Sequence, residues 1–458
     1  MTESKIYKEL NPIFKPRSAA ILGASAKEGK VGRMFMDIFL ETGFEKLYPV
    51  NPGADEVLGL KAYPSVKDIP GDVDFALIVL PPKVVLSAIR DCVEKGVKGV
   101  VINSAGFGEE GEEGKKIEKE MLQIAREGKT RLIGPNCIGI YCPSSKLPYP
   151  MRPGTEPGKV GVVSQSGSLT DHLTLIATKN GVNFSKSVSC GNQCDLIAED
   201  FFEYLGDDPE TEIIVAYLEG SKDGVRFNQL VKKISKKKPI ILWKTGTSEA
   251  GARAASSHTG ALAGSAAVWD GVLKGAGVIS VNSLEDILDT TYIFDSQPLP
   301  AGNRVAIITG PGGPAVGTTD TCIEMGLEVP RLSDGTKEKL RKVMPPVGTS
   351  VENPIDLSLA SVVMPGIYAE VVKILGQDDN IDMVMVIGSG GEEFRRVMLK
   401  AIGETDKPLV SAILMPLESV VQDYKILMKG GIPVYPDPRR AAKALARLSA
   451  YAEFLRGQ

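Results

Sequence analysis

The chain has 458 residues, too many for one hydrophobic core, so its length predicts two to four domains. Hydrophobic residues make up 43% and charged residues 24%, which is typical of a soluble globular protein. The formal net charge of -4 gives no general attraction to nucleic acid or to anionic lipid. No apolar run reaches the roughly 18 residues of a membrane helix, and the polar start MTESKIYKELNP is unlike a signal peptide. We therefore expect a cytoplasmic protein that binds neither nucleic acid nor membrane.

The six cysteines are few for the length and scattered along the chain. Cys190 and Cys194 form a C-x3-C pair, but no second pair or histidine cluster stands near it in sequence. A structural zinc site needs four such ligands. We predict reduced, mostly buried thiols and no bound metal.

From Ser18 onward, apolar strand patterns alternate with amphipathic helical patterns, which predicts an α/β fold with parallel sheets covered on both faces. The first unit, residues 1–145, is predicted to be a doubly wound, nucleotide-binding type of domain. Its strand candidates are SAAILGAS, KLYPVNP, DFALIVLP, VKGVVINS and TRLIGPN. The proline- and glycine-rich segment that follows, Lys146–Gly158, is interpreted as a linker.

Two further α/β units are predicted at residues 159–295 and 303–458. The strands of the second unit are KVGVVSQSG, FSKSVSC, EIIVAYLEG, PIILWKTG and GVIS. The break Asp295–Asn303 separates it from the third unit, whose strands are RVAIITG, IDMVMVIGSGG and KPLVSAILMP. Each of the three units begins with a strand, a glycine-rich turn and a helix, and such a turn is an anion site because helix N–H groups point into it.

The first glycine-rich turn, GASAKEGKVGRM from Gly23, matches neither common phosphate motif. A phosphate-binding loop would have Ser or Thr after Lys30, where Val31 stands, and a dinucleotide fingerprint would have glycine in place of Ser25. Ser25, Lys27 and Lys30 could still contact a phosphorylated ligand. The same sheet edge is predicted to carry VLPPK with Pro81, NSAGFGE with Asn103 and Ser104, and GPNCIG with Asn136, although each could be a simple turn.

The second and third turns are SQSGSLT and GPGGPAVGTTD. In the second, the small residues Ser166, Gly167 and Ser168 let an anion approach the backbone, and Ser168 could equally be a plain helix N-cap. In the third, Gly312 and Gly313 lead into a helix, where Pro314 costs nothing because its missing N–H would have no partner. Both turns are candidate phosphate sites.

Only two histidines occur, and His172 lies within an amphipathic helical pattern, which favours a structural role. His258 lies instead in about twenty small and polar residues, a composition typical of functional loops and also of an exposed loop without function. A serine hydrolase would need G-x-S-x-G, which is missing, and a metal site would need more ligands. A histidine nucleophile needs only an orienting acceptor and anion-stabilising surroundings, for which Glu219, at the end of its strand, is a candidate.

The segment SSHTGALAGS resembles the phosphohistidine loop of ADP-forming acetate–CoA ligases and of the related succinyl-CoA synthetase. The resemblance covers nearly the whole chain: it implies a Rossmann-like CoA-binding domain at 1–145 and two flavodoxin-like ligase domains at 159–295 and 303–458. The order of domains, with GPGGPAVGTTD and NPIDLS in the third, is similar to that of the acetate–CoA ligases.

The resemblance also implies residue roles. His258 matches the phosphorylated histidine and Glu219 the glutamate that contacts it, with Glu212 on the same strand as a competitor. The two helix starts that flank the phosphohistidine match Ser166–Ser168 and Gly312–Gly313. The CoA-binding turns contain Gly23, Ser25, Lys27, Pro81, Asn103, Ser104 and Asn136.

By this resemblance the chain is the alpha subunit of an acid–thiol ligase that interconverts acyl-CoA, ADP and phosphate with a carboxylic acid, ATP and CoA. The reaction passes through an acyl phosphate and phosphohistidine. Nothing in the sequence looks like an ATP-grasp module, so a separate beta subunit that binds ADP or ATP with Mg2+ is implied. The sequence does not decide which acid is the substrate (acetate or a related one) or whether the nucleotide is ADP or GDP. It also leaves open whether the assembly contains one or two alpha–beta pairs.

Two other functions fit parts of the sequence. A CoA-responsive binding or regulatory protein without turnover would keep the turns of the first unit and would not depend on His258. The first unit could also indicate a nicotinamide-dependent oxidoreductase, but the dinucleotide motif G-x-G-x-x-G is missing, which argues against this function.

Overall fold

A computed structural model describes residues 4–253, 264–310 and 312–457. The chain divides into two compact units: the first comprises Met1–Thr178 and Asn183–Leu284, and the second comprises Lys179–Val182 and Glu285–Gln458. The first unit contains two sheets and the second unit contains one, and nearly all of their strand pairs are parallel. The predicted α/β class with parallel sheets is therefore confirmed.

The first sheet has five parallel strands in the spatial order β2-β1-β5-β6-β7, beside a small hairpin, β3–β4. Three of its central strands are buried at every residue, as expected for a sheet covered by helices on both faces. The strands are β1 Ala19–Leu22, β2 Leu47–Val50, β3 Glu56–Val57, β4 Leu60–Lys61, β5 Phe75–Ile78, β6 Gly99–Ile102 and β7 Arg131–Ile133. The helices are α1 Lys5–Phe14, α2 Val31–Glu41, α3 Pro82–Lys95 and α4 Glu112–Glu127.

The second sheet, also in the first unit, has six strands in the order β13-β12-β11-β9-β10-β8. Five strands are parallel, and β8 pairs with β10 in the antiparallel direction. The strands are β8 Gly139–Tyr141, β9 Pro157–Ser164, β10 Phe184–Ser189, β11 Ile213–Leu218, β12 Ile240–Lys244 and β13 Ile279–Val281. The helices are α5 Gly167–Lys179, α6 Ala198–Asp207, α7 Gly224–Ile234 and α8 Ala266–Gly275.

The segment between the first two sheets is not the linker that its proline and glycine content predicted. Leu147 and Tyr149 are fully buried, and the Tyr149 hydroxyl donates to the Gly139 carbonyl oxygen 3.1 Å away. The end of the segment, from Pro157, already belongs to β9. Because β8 also precedes the predicted boundary at residue 145, the chain is folded continuously from one sheet into the next.

The third sheet forms the second unit, with five parallel strands in the order β15-β14-β16-β17-β18. The strands are β14 Val305–Thr309, β15 Ile355–Asp356, β16 Met383–Gly388, β17 Leu409–Ile413 and β18 Val434–Tyr435. The helices are α9 Leu284–Ser296, α10 Gly312–Glu324, α11 Asp334–Val343, α12 Ala360–Val363, α13 Ile367–Gly376, α14 Glu392–Ala401, α15 Leu417–Lys429 and α16 Pro438–Arg456. Within this unit α9 is held to α16 by ion pairs from Arg440, Lys443 and Arg447 to Asp286 and Asp289.

All three sheets share one strand order. When the parallel strands of each sheet are counted along the chain, the order is 2-1-3-4-5, the flavodoxin-like arrangement of a doubly wound sheet. In such a sheet the strand order reverses between the first and third strands, because later strands are added on the opposite side of the first. Ligands bind at that point, outside the carboxyl ends of the strands. The fold therefore provides three candidate binding edges, after β1 and β5, after β9 and β11, and after β14 and β16.

The six cysteines are free thiols, and all except the half-buried Cys194 are buried, which confirms the prediction for them. Among the residues that the structure describes, no three His, Cys, Asp or Glu side chains form a group that could hold a metal ion. In the same part of the chain, no helix has both the length and the apolar composition needed to cross a membrane.

Candidate active site

The turn after β9 begins α5 in the way that SQSGS predicted, but Ser166 rather than Ser168 is the cap. The Ser166 hydroxyl accepts from the Leu169 N–H at 3.4 Å, and its carbonyl oxygen accepts from the Thr170 N–H at 3.2 Å. Ser168 lies one residue inside the helix. The first N–H groups of a helix have no acceptor within it and carry partial positive charge, so this helix start can bind an anion.

Glu219 follows β11 directly, next to that helix start. Because β9 and β11 are parallel neighbours, with Ser164 opposite Tyr217, both turns leave the sheet at the same edge. The Glu219 side chain is buried, with 5% of its surface exposed. Burial and, to a smaller extent, the neighbouring Glu219 carboxyl raise the pKa of Tyr217.

The competing carboxylate, Glu212, lies at the other end of the same strand. It precedes β11, and its carboxylate is 3.5 Å from the Lys159 ammonium. Six residues of extended chain separate the two glutamates, so the seven steps from one to the other span about 23 Å at 3.3 Å per residue. Only Glu219 is therefore at the edge where Ser166 and α5 begin.

Lys244, the last residue of β12, contacts the turn that contains Glu219. Its ammonium donates to the Glu219 carbonyl oxygen at 2.8 Å and lies 5.0 Å from the centre of the Trp269 ring. Burial lowers the pKa of Lys244 to about 8, because a charged amine loses hydration there, and the Glu219 carboxylate offsets only part of this effect.

The predicted CoA-binding turn after β1 is a tight strand-to-helix connection. Gly23 has φ +97°, and a Cβ added at Gly32 would lie 1.9 Å from the Gly23 carbonyl oxygen, so helix α2 approaches the turn as only glycine permits. The Ser25 hydroxyl accepts from the Lys27 N–H at 3.0 Å. Lys27 itself is exposed, so its ammonium is available to a phosphorylated ligand at this edge.

The other predicted CoA-binding residues lie along the same edge of the first sheet. Pro81 precedes α3, and the Ser104 hydroxyl donates to the Leu80 carbonyl oxygen, which ties the turns after β5 and β6 together. Asn103 donates to the Cys137 carbonyl oxygen at 2.8 Å. Asn136 has φ +58°, and its N–H donates to the Ser104 carbonyl oxygen at 3.0 Å.

A cavity of about 220 Å3 joins the edges of the first two sheets. It brings together the predicted CoA-binding residues Asn103 and Asn136 and all three predicted phosphate-binding residues of SQSGS. Its lining consists of Asn103, Asn136, Cys137, Ile138, Gln165, Ser166, Gly167, Ser168, Gly191 and Asn192. Gly23, Ser25, Lys27, Pro81 and Ser104 are outside this lining, further along the edge of the first sheet.

Sequence reasoning missed Asn192, which is 5% exposed and follows β10. Its side-chain amide nitrogen donates to the Glu109 carboxylate at 2.5 Å and to the Glu118 carboxylate at 2.8 Å. Burial favours the neutral form of Glu109, but hydrogen bonds from Gly106 and Asn192 outweigh it and lower its pKa. The one signal in the sequence that could have identified Asn192 is its position after a strand of a parallel sheet. The two carboxylates turn the amide so that its oxygen faces Asn136 in the cavity.

The structure describes all but one of the remaining predicted residues. His258 lies outside the described residues. Gly312 and Gly313 begin α10 at the carboxyl edge of the third sheet, as predicted for GPGGP. His172 is exposed on α5, and its Nδ1 is 2.7 Å from the Ser168 carbonyl oxygen.

Three family models match successive parts of the chain: a CoA binding domain at residues 17–143, a succinyl-CoA ligase like flavodoxin domain at 157–294 and a ligase-CoA domain at 305–456. The order and the shared strand topology define an acyl-CoA ligase of the succinyl-CoA ligase type. The alpha subunit of Pyrococcus furiosus ADP-forming acetate–CoA ligase II is 41% identical over 98% of this chain and 99% of its own length. The alpha subunit of ligase I from the same organism is 38% identical over 97% and 98%. The chain belongs to the family of ADP-forming acetate–CoA ligase alpha subunits.

Solved structures agree with this family. The dinucleotide-forming acetyl-coenzyme A synthetase 1 of Ca. Korarchaeum cryptofilum, in complex with phosphate and ADP, matches with a TM-score of 0.89 at 32% identity over 98% of both chains. The ADP-forming acetate–CoA ligase I of Archaeoglobus fulgidus is 37% identical, and there the chain spans only 63% of the relative's length.

Proposed function

We propose that this chain is the alpha subunit of an ADP-forming acyl-CoA ligase in which His258 carries the phosphoryl group. The observation that supports the proposal most directly is the shared cavity, where residues predicted for CoA meet the start of α5, predicted for phosphate. An acyl thioester bound along the first sheet and a phosphate at Ser166–Ser168 would then be neighbours, as their reaction requires.

The first step is attack of a phosphate oxygen on the acyl carbonyl carbon. The carbon–sulfur bond breaks, CoA leaves as the thiol after taking up a proton, and an acyl phosphate remains. Phosphate carries its negative charge throughout, and the N–H groups at the start of α5 stabilise that charge with partial positive charge that needs no reorganisation. The residues of the second sheet thus serve as the anion site.

The second step is attack of a neutral His258 ring nitrogen on phosphorus, which breaks the bond to the acyl oxygen and releases the carboxylate. The imidazole must present one nitrogen as nucleophile, so the other nitrogen carries the proton. Glu219, buried at the same edge as Ser166, is the acceptor for that N–H. In the last step the phosphoryl group passes to a nucleoside diphosphate with Mg2+ on a partner chain.

A beta subunit with an ATP-grasp fold is the partner that we propose. The Pyrococcus relatives are named as alpha subunits, and the Archaeoglobus relative is longer than the part that this chain spans. Mixing the chain with candidate beta subunits, an acyl-CoA, phosphate and ADP should give ATP, whereas either chain alone should not.

The phosphoryl carrier can be identified by labelling. Incubation of the chain with acetyl-CoA and radioactive phosphate should give an acid-labile, alkali-stable phosphoprotein, because phosphohistidine has this stability. His258→Ala should abolish the label, since no other group is proposed to attack phosphorus. His172→Ala is the matched control and should label like the parent, because its ring lies on the exposed side of α5. Equal labelling of His258→Ala and the parent would exclude His258 as the phosphoryl carrier, whereas a parent chain that neither labels nor gives ATP with any beta subunit would favour the alternative, a CoA-responsive binding protein without turnover.

The acyl group should belong to a monocarboxylic acid. None of the described side chains that line the cavity is charged. With phosphate at the start of α5, a second carboxylate, as in a succinyl group, would lose hydration there without a further positive group to pair with. We expect kcat/KM for acetyl-CoA to exceed that for succinyl-CoA by about 100-fold or more, since an unpaired buried charge costs several kcal/mol. Comparable values for the two thioesters would contradict this assignment of the cavity.

A further inference from the structure

Gln165 connects the two turns that form the carboxyl edge of the second sheet. It is 4% exposed and stands between the end of β9 and Ser166. Its backbone N–H continues the sheet by donating to the Tyr217 carbonyl oxygen at 3.1 Å. Its side chain then crosses to the residues after β11, so one residue contacts both turns.

Both the oxygen and the nitrogen of the Gln165 side-chain amide make hydrogen bonds to the turn after β11. Its oxygen accepts from the backbone N–H groups of Glu219 and Gly220, the latter at 3.1 Å. Its nitrogen donates to the Gly220 carbonyl oxygen at 3.1 Å. Turning the amide over would place its NH2 group against two donors, so the contacts allow one orientation. The amide replaces the sheet hydrogen bonds that β9 can no longer make beyond its end.

These contacts fix the backbone of Glu219 from one side while Lys244 fixes it from the other. The Lys244 ammonium donates to the Glu219 carbonyl oxygen, and the Gln165 oxygen accepts from the Glu219 N–H. The peptide groups on both sides of the Glu219 Cα are therefore held. The direction in which its carboxylate leaves the sheet follows from them.

We propose that Gln165 is a positioning residue, which sets the distance between the phosphate site at the start of α5 and the carboxylate of Glu219. The inference rests on the proposed function, in which Glu219 orients the phosphorylated histidine. Gln165 belongs to the lining of the cavity, but both polar atoms of its side chain are taken by the backbone of Glu219 and Gly220, so in this proposal it acts through Glu219. Other side chains could fill the same space, but only a group with both an acceptor and a donor can make all three hydrogen bonds to Glu219 and Gly220.

Gln165→Met tests this role, because methionine has a similar length and shape but can neither accept from the Glu219 N–H nor donate to Gly220. The measured quantity is the single-turnover rate of phosphoprotein formation, with the affinity for CoA measured separately. A misplacement of about 1 Å costs on the order of 100-fold in rate, so we expect a loss of roughly that size with unchanged CoA affinity. Gln165→Glu keeps the acceptor for both N–H groups and should recover part of the rate.

The same substitution in a Glu219→Gln background separates positioning from general damage. If Gln165 acts through Glu219, Gln165→Met should change the already slow rate by no more than about twofold, the usual scatter of independent effects. A structural role alone would slow both backgrounds by the same factor. Equal losses in the two backgrounds, or a Gln165→Met protein that labels at the parent rate, would overturn the proposal.

Gln297→Met is the matched control. Gln297 is also a buried glutamine that bridges backbone groups, since it accepts from the Leu409 N–H at 2.6 Å and donates to the Gly431 carbonyl oxygen, but it lies in the second unit. It should label at the parent rate. If Gln165→Met fails to fold by thermal melting, the Glu219→Gln cycle is run with Gln165→Glu and decides by the same comparison. Failure of the proposed function itself would look different, because the parent chain would then not label at all.

Discussion

The two glutamates that flank β11 show how one strand separates a carboxylate with a proposed catalytic role from one at the surface. Glu219 is buried beside the start of α5, whereas Glu212 pairs with Lys159 at the opposite end of the strand. They stand at opposite ends of one strand, and the direction of that strand places only Glu219 at the edge where α5 begins. Sequence reasoning could name both but needed the register of β9 and β11 to choose.

Conversion of each glutamate to glutamine provides a paired test. Glu219→Gln keeps the shape but replaces the anionic acceptor, so phosphoprotein formation should fall by about 100-fold, the size typical for loss of an orienting group in proton transfer. Glu212→Gln breaks only an exposed ion pair and should leave the rate unchanged, with a stability change below about 1 kcal/mol. Single-turnover labelling of both variants measures the difference. The assignment fails if Glu212→Gln is the slower protein.

Several residues of the site could be predicted because they stand in glycine-rich turns after apolar strands, as Ser166 and Asn103 do. Gln165 and Asn192 also follow strands, but this position alone did not reveal their roles. Their importance comes from side-chain contacts to turns far away in sequence, such as Gln165 to Gly220 and Asn192 to Glu109. A local pattern carries no information about such contacts.

Secondary structure elements were predicted well where burial imposes a pattern. The long parallel strands are continuous apolar runs, so all of the strands proposed from the sequence correspond to strands of the three sheets. The short strands β3, β4, β8, β15 and β18 were missed because two or three residues alone carry too little pattern to identify a strand. The antiparallel pairing of β8 with β10 is also set by the second sheet, about 45 residues away, rather than by its own residues.

Helix α10 shows why a glycine can be required next to a proline. A residue before proline clashes with the proline ring in the helical conformation unless it is glycine, and Gly313 precedes Pro314 inside the helix. Gly317, one turn later, has no such neighbour, and a Cβ at either glycine would meet no atom within 4 Å. The two positions are therefore a matched pair with different backbone constraints.

Alanine at each position tests this constraint together with the anion site. Gly317→Ala should raise the free energy of unfolding of the second unit by about 0.5–1 kcal/mol, because alanine favours a helix. Gly313→Ala should bring no such gain, because of Pro314, and should slow phosphoprotein formation by placing a methyl group at the helix start. Denaturant unfolding and labelling measure the two effects. A faster or unchanged labelling rate in Gly313→Ala would contradict the prediction that this helix start binds phosphate.

At the scale of the whole molecule, the two compact units predict two steps of unfolding. Each unit has its own buried core, with Phe201 in one and Leu409 in the other among the fully buried residues. Scanning calorimetry should show two transitions, and CoA should raise the temperature of only one, because the CoA-binding turns belong to the first unit. At a concentration 100 times its Kd, CoA stabilises its unit by about 2.7 kcal/mol, a shift of roughly 5 °C. Equal shifts of both transitions would contradict this division.

Strand β8, which pairs with β10 in the antiparallel direction, also has a practical consequence for the design of fragments of this protein. It is an edge of the second sheet made from the tail of the first, so cutting the chain at residue 145 would leave β10 with a bare rim of unpaired N–H and C=O groups. Exposed rims of this kind recruit strands from other molecules and promote aggregation. A fragment meant to carry the second sheet should therefore start before Gly139, and natural recombination between these modules faces the same restriction.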